Sequence, residues 1–509
     1  MRLAAAVLAG FLAFLVLATA NGAGYRYGVS DGAAYVPAVM LAENPAAFPR
    51  DAPLIRTQGQ FFVVDEMLAA IGPMTGASIE SRFFAAYIVA IAAVWVGVLL
   101  IGSSLYGRDR GPTGSAPHLT GWWLTVALAA VVTLRHHIPR TSTNSLEPYF
   151  HPRLLAFGFG IIAVAAFLRH RNAIAVTLVG LAATCHGTTA FWFAVVIGTA
   201  LMVVDRRWRL PGMVGGAAAL AILMWATAAG PLRMAASRMD SIWIEALGGR
   251  NFIFANEWPL WAWIANLGLL GALWLAHSVR IRRGTGTDRD AGLVWGATAL
   301  VALFLVTLPL VTAHVALAVQ FQFSRVFWVV DFLAALYVIA AAGESLRRTQ
   351  MVTLAVVLLT VSAARASYIM WSEHAERRLF AVSLVSSPSP WMDAMHWIAA
   401  QPLNVHVAAA PDHAFRYGVS VRVAACRDVL LEDDKDSAVA MYSRPIAQRI
   451  VERRKALADF SSLTAASALE LGTRFGVDYL VTEAALPLRE AYRNSQFRIY
   501  ALKPAGPAS

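Results

Sequence analysis

The sequence predicts an α-helical, multi-pass membrane protein of about eleven transmembrane helices, followed by a small α/β domain. Of its 509 residues, 58% are hydrophobic and only 14% are charged, and the mean hydropathy is +0.57. A soluble domain usually carries charged residues at about a quarter of its positions. The charge is also unevenly placed, because all the lysines (Lys435, Lys455 and Lys503) lie in the last quarter of the chain. The preceding part consists of apolar blocks separated by short arginine clusters.

The apolar blocks have the length that a membrane-crossing helix requires, which is about 20 residues for a typical bilayer. The predicted spans are 3–22, 83–103, 119–134, 153–168, 173–186, 188–204, 211–229, 259–279, 292–312, 326–343 and 351–371. The first span is interpreted as retained, although Ala18-Thr19-Ala20 also suits a signal-peptide cleavage site.

Arginines in the short loops indicate the orientation, because such loops carry more basic residues on the cytoplasmic side. Compact clusters such as Arg206/Arg207/Arg209 and Arg347/Arg348 fall in alternate loops, which are therefore predicted to be cytoplasmic. The longer loops, at 23–82, 135–152, 230–258 and 313–325, are predicted to lie outside. The protein is thus expected in a cell inner membrane, with residues 372–509 extracytoplasmic.

Two domains follow from this pattern: a transmembrane domain at 1–371, whose first outer loop covers 23–82, and an α/β domain at 372–509. Short strands are predicted near 405–409, 429–431, 479–482 and 497–500, and helices at 444–459 and 463–475. Without a glycine-rich phosphate loop or metal motif, this domain is interpreted as a lid or docking domain. The net charge of +11 resides largely in arginines that membrane topology explains, so nucleic-acid binding is not expected.

Ionisable residues near the membrane surface tend to mark functional sites, because they are costly there. The first outer loop contains Arg26, Asp31, Tyr35 and Asp51. Asp31 follows the first span and opens an amphipathic stretch. It could mark a functional site, or simply cap a helix, which aspartate favours by itself.

Further candidates lie in the other predicted outer segments. Glu147 and His151 could support acid–base chemistry or a metal, or belong to a solvated loop. His186 lies at the turn of a short membrane hairpin, where it would line an outward cavity or serve in packing. Arg250 belongs to the third outer loop. Arg325 begins the tenth span, where a guanidinium suits a phosphate group, a structural pair with Asp331 or simple snorkelling to the membrane surface.

These residues resemble a known family. An early acid after the first span, a tyrosine four residues later, a nearby methionine and a proline-bearing turn are carried by Asp31, Tyr35, Met40 and Pro49. A Gln-x-x-x-x-Arg-x-x-Trp segment runs from Gln320 to Trp328 and contains Arg325. The pattern is similar to the GT-C superfamily of integral-membrane glycosyltransferases, in a bacterial branch with a C-terminal periplasmic domain.

The resemblance implies an inverting transfer of sugar from a polyprenyl-phosphate donor to an envelope glycan, lipid or protein acceptor, with Asp31 as the general base. Substrate-binding roles are expected for a further set of residues: Arg26, Tyr35, Asp51, Glu147, His151, His186, Arg250 and Arg325. No cofactor is required by the sequence, and a divalent metal is compatible with it. The alternative is a non-catalytic component or transporter of an envelope-polysaccharide pathway, although no internal repeat favours a transporter.

Overall fold

The computed structural model describes residues 2–59, 63–106, 118–230, 232–250, 252–372, 378–384 and 389–503. The chain forms two compact units, both discontinuous in sequence. The helical unit comprises Met1–Tyr25, Ala86–Arg238 and Arg250–Phe380. The mixed unit comprises Arg26–Ala85, Met239–Gly249 and Ala381–Ser509. The sequence predicts a single domain boundary at residue 371. The structure differs, because the mixed unit also includes most of the first predicted outer loop.

The helical unit is built of long apolar helices, and each predicted span coincides with one of them. Its helices are Arg2–Ala20, the part of Ile79–Leu105 from Ala86, His118–Thr133, Pro152–Leu168, Asn172–Cys185, Gly187–Val204, Arg209–Ala228, Leu260–Arg282, Asp288–Thr312, Ala316–Phe321, Val326–Gly343 and Arg348–Ser372. Short 3-10 turns lie at Arg206–Trp208, Met234–Ala236, Ala255–Glu257 and Phe323–Arg325. A small antiparallel hairpin pairs His137–Ile138 with Thr143–Asn144.

Seven helices in the described part of the chain are long and apolar enough to cross a membrane. They are Ile79–Leu105, Gly187–Val204, Arg206–Ala228, Leu260–Arg282, Asp288–Thr312, Ala316–Gly343 and Arg348–Ser372. The remaining predicted spans correspond to shorter apolar helices of 10–17 residues. The protein is therefore a multi-pass membrane protein, and the figure of about eleven crossings stays a prediction.

Three helices of the helical unit are joined near their N-terminal ends by aromatic side chains. Phe157 stacks on Trp328 with ring centroids 4.1 Å apart, and its edge contacts Phe193 at 5.6 Å. These rings belong to Pro152–Leu168, Val326–Gly343 and Gly187–Val204, and each lies in the first half of its helix. The three helices thus begin at the same end of the bundle.

The mixed unit combines helices with a five-stranded sheet. Its helices are Gly32–Glu43, Ala52–Gly59, Val64–Thr75, the start of Ile79–Leu105, Ser241–Ala246, Pro390–Ala399, His413–Arg416, Val421–Ala425, Asp433–Ala440, Arg444–Ala456 and Ala465–Phe475, with a 3-10 turn at Phe460–Ser462. The strand order is Asp428–Val429, His406–Ala408, Tyr479–Thr482, Arg498–Ala501, Glu490–Arg493. The first three strands in this order are parallel to one another. Arg498–Ala501 is antiparallel to both of its neighbours, Tyr479–Thr482 and Glu490–Arg493. Two-residue strands also lie at Tyr25–Arg26 and Phe380–Ala381.

The predicted C-terminal α/β fold is confirmed, since the four predicted strands all have counterparts in the sheet. The helix Ala465–Phe475 begins with a capping box between Thr464 and Ser467 and ends at Gly476, whose φ is +68°. This left-handed conformation is one that glycine adopts without steric cost. The turn leads directly into the buried strand Tyr479–Thr482. Strand Glu490–Arg493 was not predicted, because its side chains are mostly exposed and lack an apolar alternation.

Candidate functional site

Two histidines cap the helices that begin at the shared end of the helical unit. His151 Nδ1 accepts a hydrogen bond from the backbone N–H of Arg153 at 3.1 Å, at the start of Pro152–Leu168. His186 Nδ1 accepts from the backbone N–H of Thr189 at 3.3 Å, at the start of Gly187–Val204. Because Nδ1 is the acceptor in each ring, the proton resides on Nε2. Each imidazole thus presents an N–H donor at a helix N-terminus.

Two arginines complete what we call the basic cluster: His151, Arg153, His186 and Arg325. The imidazole rings of His151 and His186 meet edge to face with centroids 6.0 Å apart. Arg153 and Arg325 both lie close enough to His186 to interact with it electrostatically. Arg325 ends a 3-10 turn and precedes the helix Val326–Gly343. Helix N-termini carry partial positive charge, so the cluster is suited to an anion.

Glu147 lies beside the basic cluster and is occupied by its own ion pairs. It is 3% exposed, and Arg153 Nη2 donates to its Oε1 at 2.7 Å. Arg135 lies 4.0 Å from the other carboxylate oxygen. This geometry favours a structural pair over the predicted substrate contact. Among the described residues, no three His, Cys, Asp or Glu side chains form a group able to hold a metal ion.

The contacts of Arg325 and of Asp331 bear on the roles that the sequence predicts for Arg325. The guanidinium carbon lies 5.2 Å from the centroid of the Phe252 ring. Asp331, the structural partner considered from the sequence, instead bonds to His136 Nε2 at 2.8 Å. Arg250 is the first residue of the segment Arg250–Phe380 of the helical unit, which also contains Arg325. The carbonyl of Arg250 accepts a hydrogen bond from the backbone N–H of Ile253. Asp331 therefore pairs with His136, and the phosphate-binding role of Arg325 stays a prediction.

Asp31, in the mixed unit, occupies the cap position of Gly32–Glu43 but does not cap it. Its backbone is helical, at φ −66° and ψ −15°, and its side chain makes no capping hydrogen bond. Its carboxylate instead accepts from Lys435 Nζ at 3.0 Å. The Asp31 side chain stays 29% exposed in this pair. The capping interpretation is therefore not supported, and a partly accessible carboxylate–ammonium pair takes its place.

Lys435 joins Asp31 to a second carboxylate. Its ammonium also lies 2.9 Å from Asp434 Oδ2. Although burial acts to lower it, the two carboxylates raise the pKa of Lys435 above its usual value. Tyr35 lies on the buried face of the helix that follows Asp31, and Arg26 is half-buried on a two-residue strand. The predicted roles of Tyr35 and Arg26 stay predictions.

Asp51 is fully buried within the mixed unit, at 0% exposure. Its Oδ2 accepts from Arg422 Nε at 2.8 Å and from the N–H of Val429 at 3.0 Å, and its Oδ1 accepts from Arg449. Although burial acts to raise it, Arg422 and Arg449 hold the pKa of Asp51 well below its usual range. We therefore replace the substrate-binding interpretation of Asp51 with a structural one, because its oxygens are already bonded.

Asp51 forms part of an ionic network that fastens the loop to the C-terminal domain inside this unit. Arg422 also binds Asp436 through two hydrogen bonds, at 2.6 and 3.0 Å. Asp428 accepts from the backbone N–H groups of Arg50 and Asp51, at 3.0 and 2.9 Å. Sequence reasoning missed Arg422, since an isolated arginine in the C-terminal part of the chain carries no signal of its partner.

The predicted site residues are thus divided between the two units. The mixed unit contains Arg26, Asp31, Tyr35 and Asp51, and the helical unit contains Glu147, His151, His186, Arg250 and Arg325. Within the helical unit, the structure brings His151, His186 and Arg325 together, which their separation in sequence could not show.

No protein-family model matches the sequence, and no curated protein matches it either. Among solved structures, the chain is similar to an oligosaccharyltransferase of Archaeoglobus fulgidus in its apo form. The TM-score is 0.44 and the sequence identity is 12%. The alignment covers 94% of this chain and 69% of the archaeal one.

Proposed function

We propose that the protein is a membrane glycosyltransferase that moves a sugar from a polyprenyl-phosphate donor to an envelope acceptor on the outer face of the inner membrane. The observation that carries the proposal is the basic cluster, where three apolar helices begin together. Its donors are two imidazole Nε2–H groups and the guanidinium of Arg325. This combination at helix N-termini suits a phosphate group at the end of a lipid.

In such a transfer, the acceptor oxygen forms a bond to the anomeric carbon while the bond from that carbon to the phosphate oxygen breaks. The lipid phosphate leaves with the electron pair and gains negative charge. The basic cluster would stabilise that charge, and preorganised donors of this kind usually supply the largest protein contribution to catalysis. Arg325 would act through its planar fork, which matches phosphate oxygens better than an ammonium does.

The aromatic side chains close to Arg325 in sequence suit the apolar part of such a donor. Phe323 stacks on Phe321 with centroids 5.4 Å apart, and it lies 5.3 Å from Trp192. Phe191 contacts Phe321 edge to face at 5.9 Å and is 38% exposed. An isoprenoid chain could lie along this aromatic surface while its phosphate binds at Arg325.

Asp31 is proposed as the general base that takes the proton of the acceptor hydroxyl. Its support is its position after the first span and its partial exposure. Arg26 and Tyr35 would help to position it, and Arg250 is proposed as a further cation for the substrate. No metal is assigned a role in this proposal.

The proposal is tested by titrating purified full-length protein with undecaprenyl phosphate, with undecaprenol as the matched ligand that lacks the phosphate. The wild type should prefer the phosphate. Arg325→Ala should lose a charge-assisted interaction and weaken binding by about tenfold or more. Arg325→Lys keeps the charge but loses the fork, so its binding should be intermediate.

Arg233→Ala is the matched control, since Arg233 is an exposed arginine of the helical unit outside the basic cluster. It should bind the lipid phosphate as the wild type does. Equal binding of undecaprenyl phosphate by wild type and both Arg325 variants would refute the phosphate role of the cluster.

A further inference from the structure

The helix Val64–Thr75 of the mixed unit presents a row of large apolar side chains to its surroundings. Val63, Met67, Ile71 and Met74 are 49, 57, 39 and 83% exposed. Their spacing of four, four and three residues places them on one side of the helix. We call this row the apolar stripe.

The opposite side of the same helix is already packed. Val64, Leu68 and Ala69 are buried, at 7, 7 and 8% exposure, and the helix packs against Gly32–Glu43 within the mixed unit. The buried side of the helix therefore holds it in the mixed unit. The apolar stripe is a second hydrophobic face, which is exposed. Large apolar patches of this kind mark interaction surfaces.

The position of the helix along the chain indicates what covers the stripe. Gly76 ends the helix in the left-handed conformation, with φ +67°, and its N–H bonds to the carbonyl of Gly72. The next helix, Ile79–Leu105, begins three residues later and is long and apolar enough to cross a membrane. Only residues 76–78 separate the two helices, so the start of the candidate span restricts how far Val64–Thr75 can lie from the membrane surface.

We propose that the apolar stripe inserts into the interface of the lipid bilayer, so that Val64–Thr75 is an interfacial helix. Such helices bury their apolar face about 5–10 Å into the boundary between headgroups and acyl chains. Residues 63–78 contain no lysine or arginine, and Asp65 and Glu66 lie in the first turn. Insertion therefore depends on apolar contact and not on attraction to anionic lipids.

The test places a single environment-sensitive NBD label on the full-length protein in phosphatidylcholine vesicles. The native Cys185 and Cys426 are first replaced, by Ala and Ser, and the background is checked by gel filtration and thermal melting. The labelled positions are Met67→Cys and Met74→Cys. Glu66→Cys is the matched control, since it is an exposed polar neighbour in the first turn of the same helix.

The labels at Met67 and Met74 should be quenched strongly by doxyl-labelled lipid and weakly by aqueous iodide, and Glu66 should show the reverse preference. Adding phosphatidylglycerol should not change the pattern. Equal iodide quenching at all three positions would overturn the proposal in favour of a water-exposed face. Protection from both quenchers would equally overturn it, because the stripe would then be covered by protein, including a second copy of this chain.

Discussion

Asp31 is the residue on which the proposed chemistry can be tested most simply, since asparagine has the same shape but cannot accept a proton. Asp31→Asn should fold and accumulate normally, while glycosyl transfer should fall by a factor on the order of 10²–10⁴. The measurement is transfer of labelled sugar from a polyprenyl-phosphate donor in vesicles.

The matched control is Asp434→Asn, which removes the other carboxylate bound to Lys435 and is the more exposed of the two. It should retain transfer. If Asp31→Asn turns over normally, the base assignment is wrong, and a non-catalytic component of an envelope pathway becomes the better interpretation.

Glu432 gives a pH-dependent prediction for the stability of the mixed unit. It is 1% exposed, both of its carboxylate oxygens lack a hydrogen bond, and burial raises its pKa to about 8. A carboxyl whose pKa is raised on folding stabilises the fold below its unfolded pKa, near 4.5, and loses that contribution as the pH rises towards 8. The substitution Glu432→Gln replaces the carboxyl with a group that does not ionise, so the variant does not lose this stability as the pH rises.

The melting temperature of Glu432→Gln should therefore exceed that of the wild type by an amount that grows from pH 5 to pH 8. Glu452→Gln is the control, because Glu452 lies in an exposed pair with Arg474. Its difference from the wild type should stay constant over the same range. A constant difference for Glu432→Gln as well would contradict the buried-acid interpretation.

The sequence predicts individual helices and strands well where the pattern of one segment is sufficient to identify it. Apolar runs predicted the helices of the helical unit, because a span must satisfy its backbone hydrogen bonds within itself. The sequence also placed His186 at a helix turn and Arg325 at a helix start. Their meeting with His151 could not be predicted, because it depends on how separate helices pack.

The ionic contacts of the mixed unit show the same limit more sharply. Asp31 and Lys435 are 404 residues apart, and Asp51 and Arg422 are 371 apart. No local pattern joins such partners. Asp51 and Asp31 look alike in sequence as acids of one loop, yet burial makes one a structural anchor and leaves the other accessible.

The helix Gly32–Glu43 follows Asp31 directly. This helix packs against Val64–Thr75, whose apolar stripe is proposed to insert into the bilayer interface. An interfacial helix would then hold the candidate base at the level of the membrane surface. That is the level at which a lipid-borne sugar phosphate is presented.

For the whole molecule, the arginine pattern predicts which parts face the cytoplasm. A reporter fused after Arg348 should indicate the cytoplasm, and one fused after Trp371 should indicate the outer compartment, because the helix Arg348–Ser372 separates them. Alkaline phosphatase and green fluorescent protein are suitable as complementary reporters. A cytoplasmic signal from the second fusion would reverse the predicted location of the C-terminal domain.

The proposed function depends on binding of a polyprenyl-phosphate sugar by the basic cluster of the helical unit. The most direct measurement is native mass spectrometry of the full-length protein purified from its own host membranes, with fragmentation of any bound lipid. A polyisoprenoid bearing a phosphate and a sugar is expected on the wild type and on Arg233→Ala, and it should be lost from Arg325→Ala. Absence of any such lipid from the wild type, or its equal retention by Arg325→Ala, would contradict the proposed role of the basic cluster.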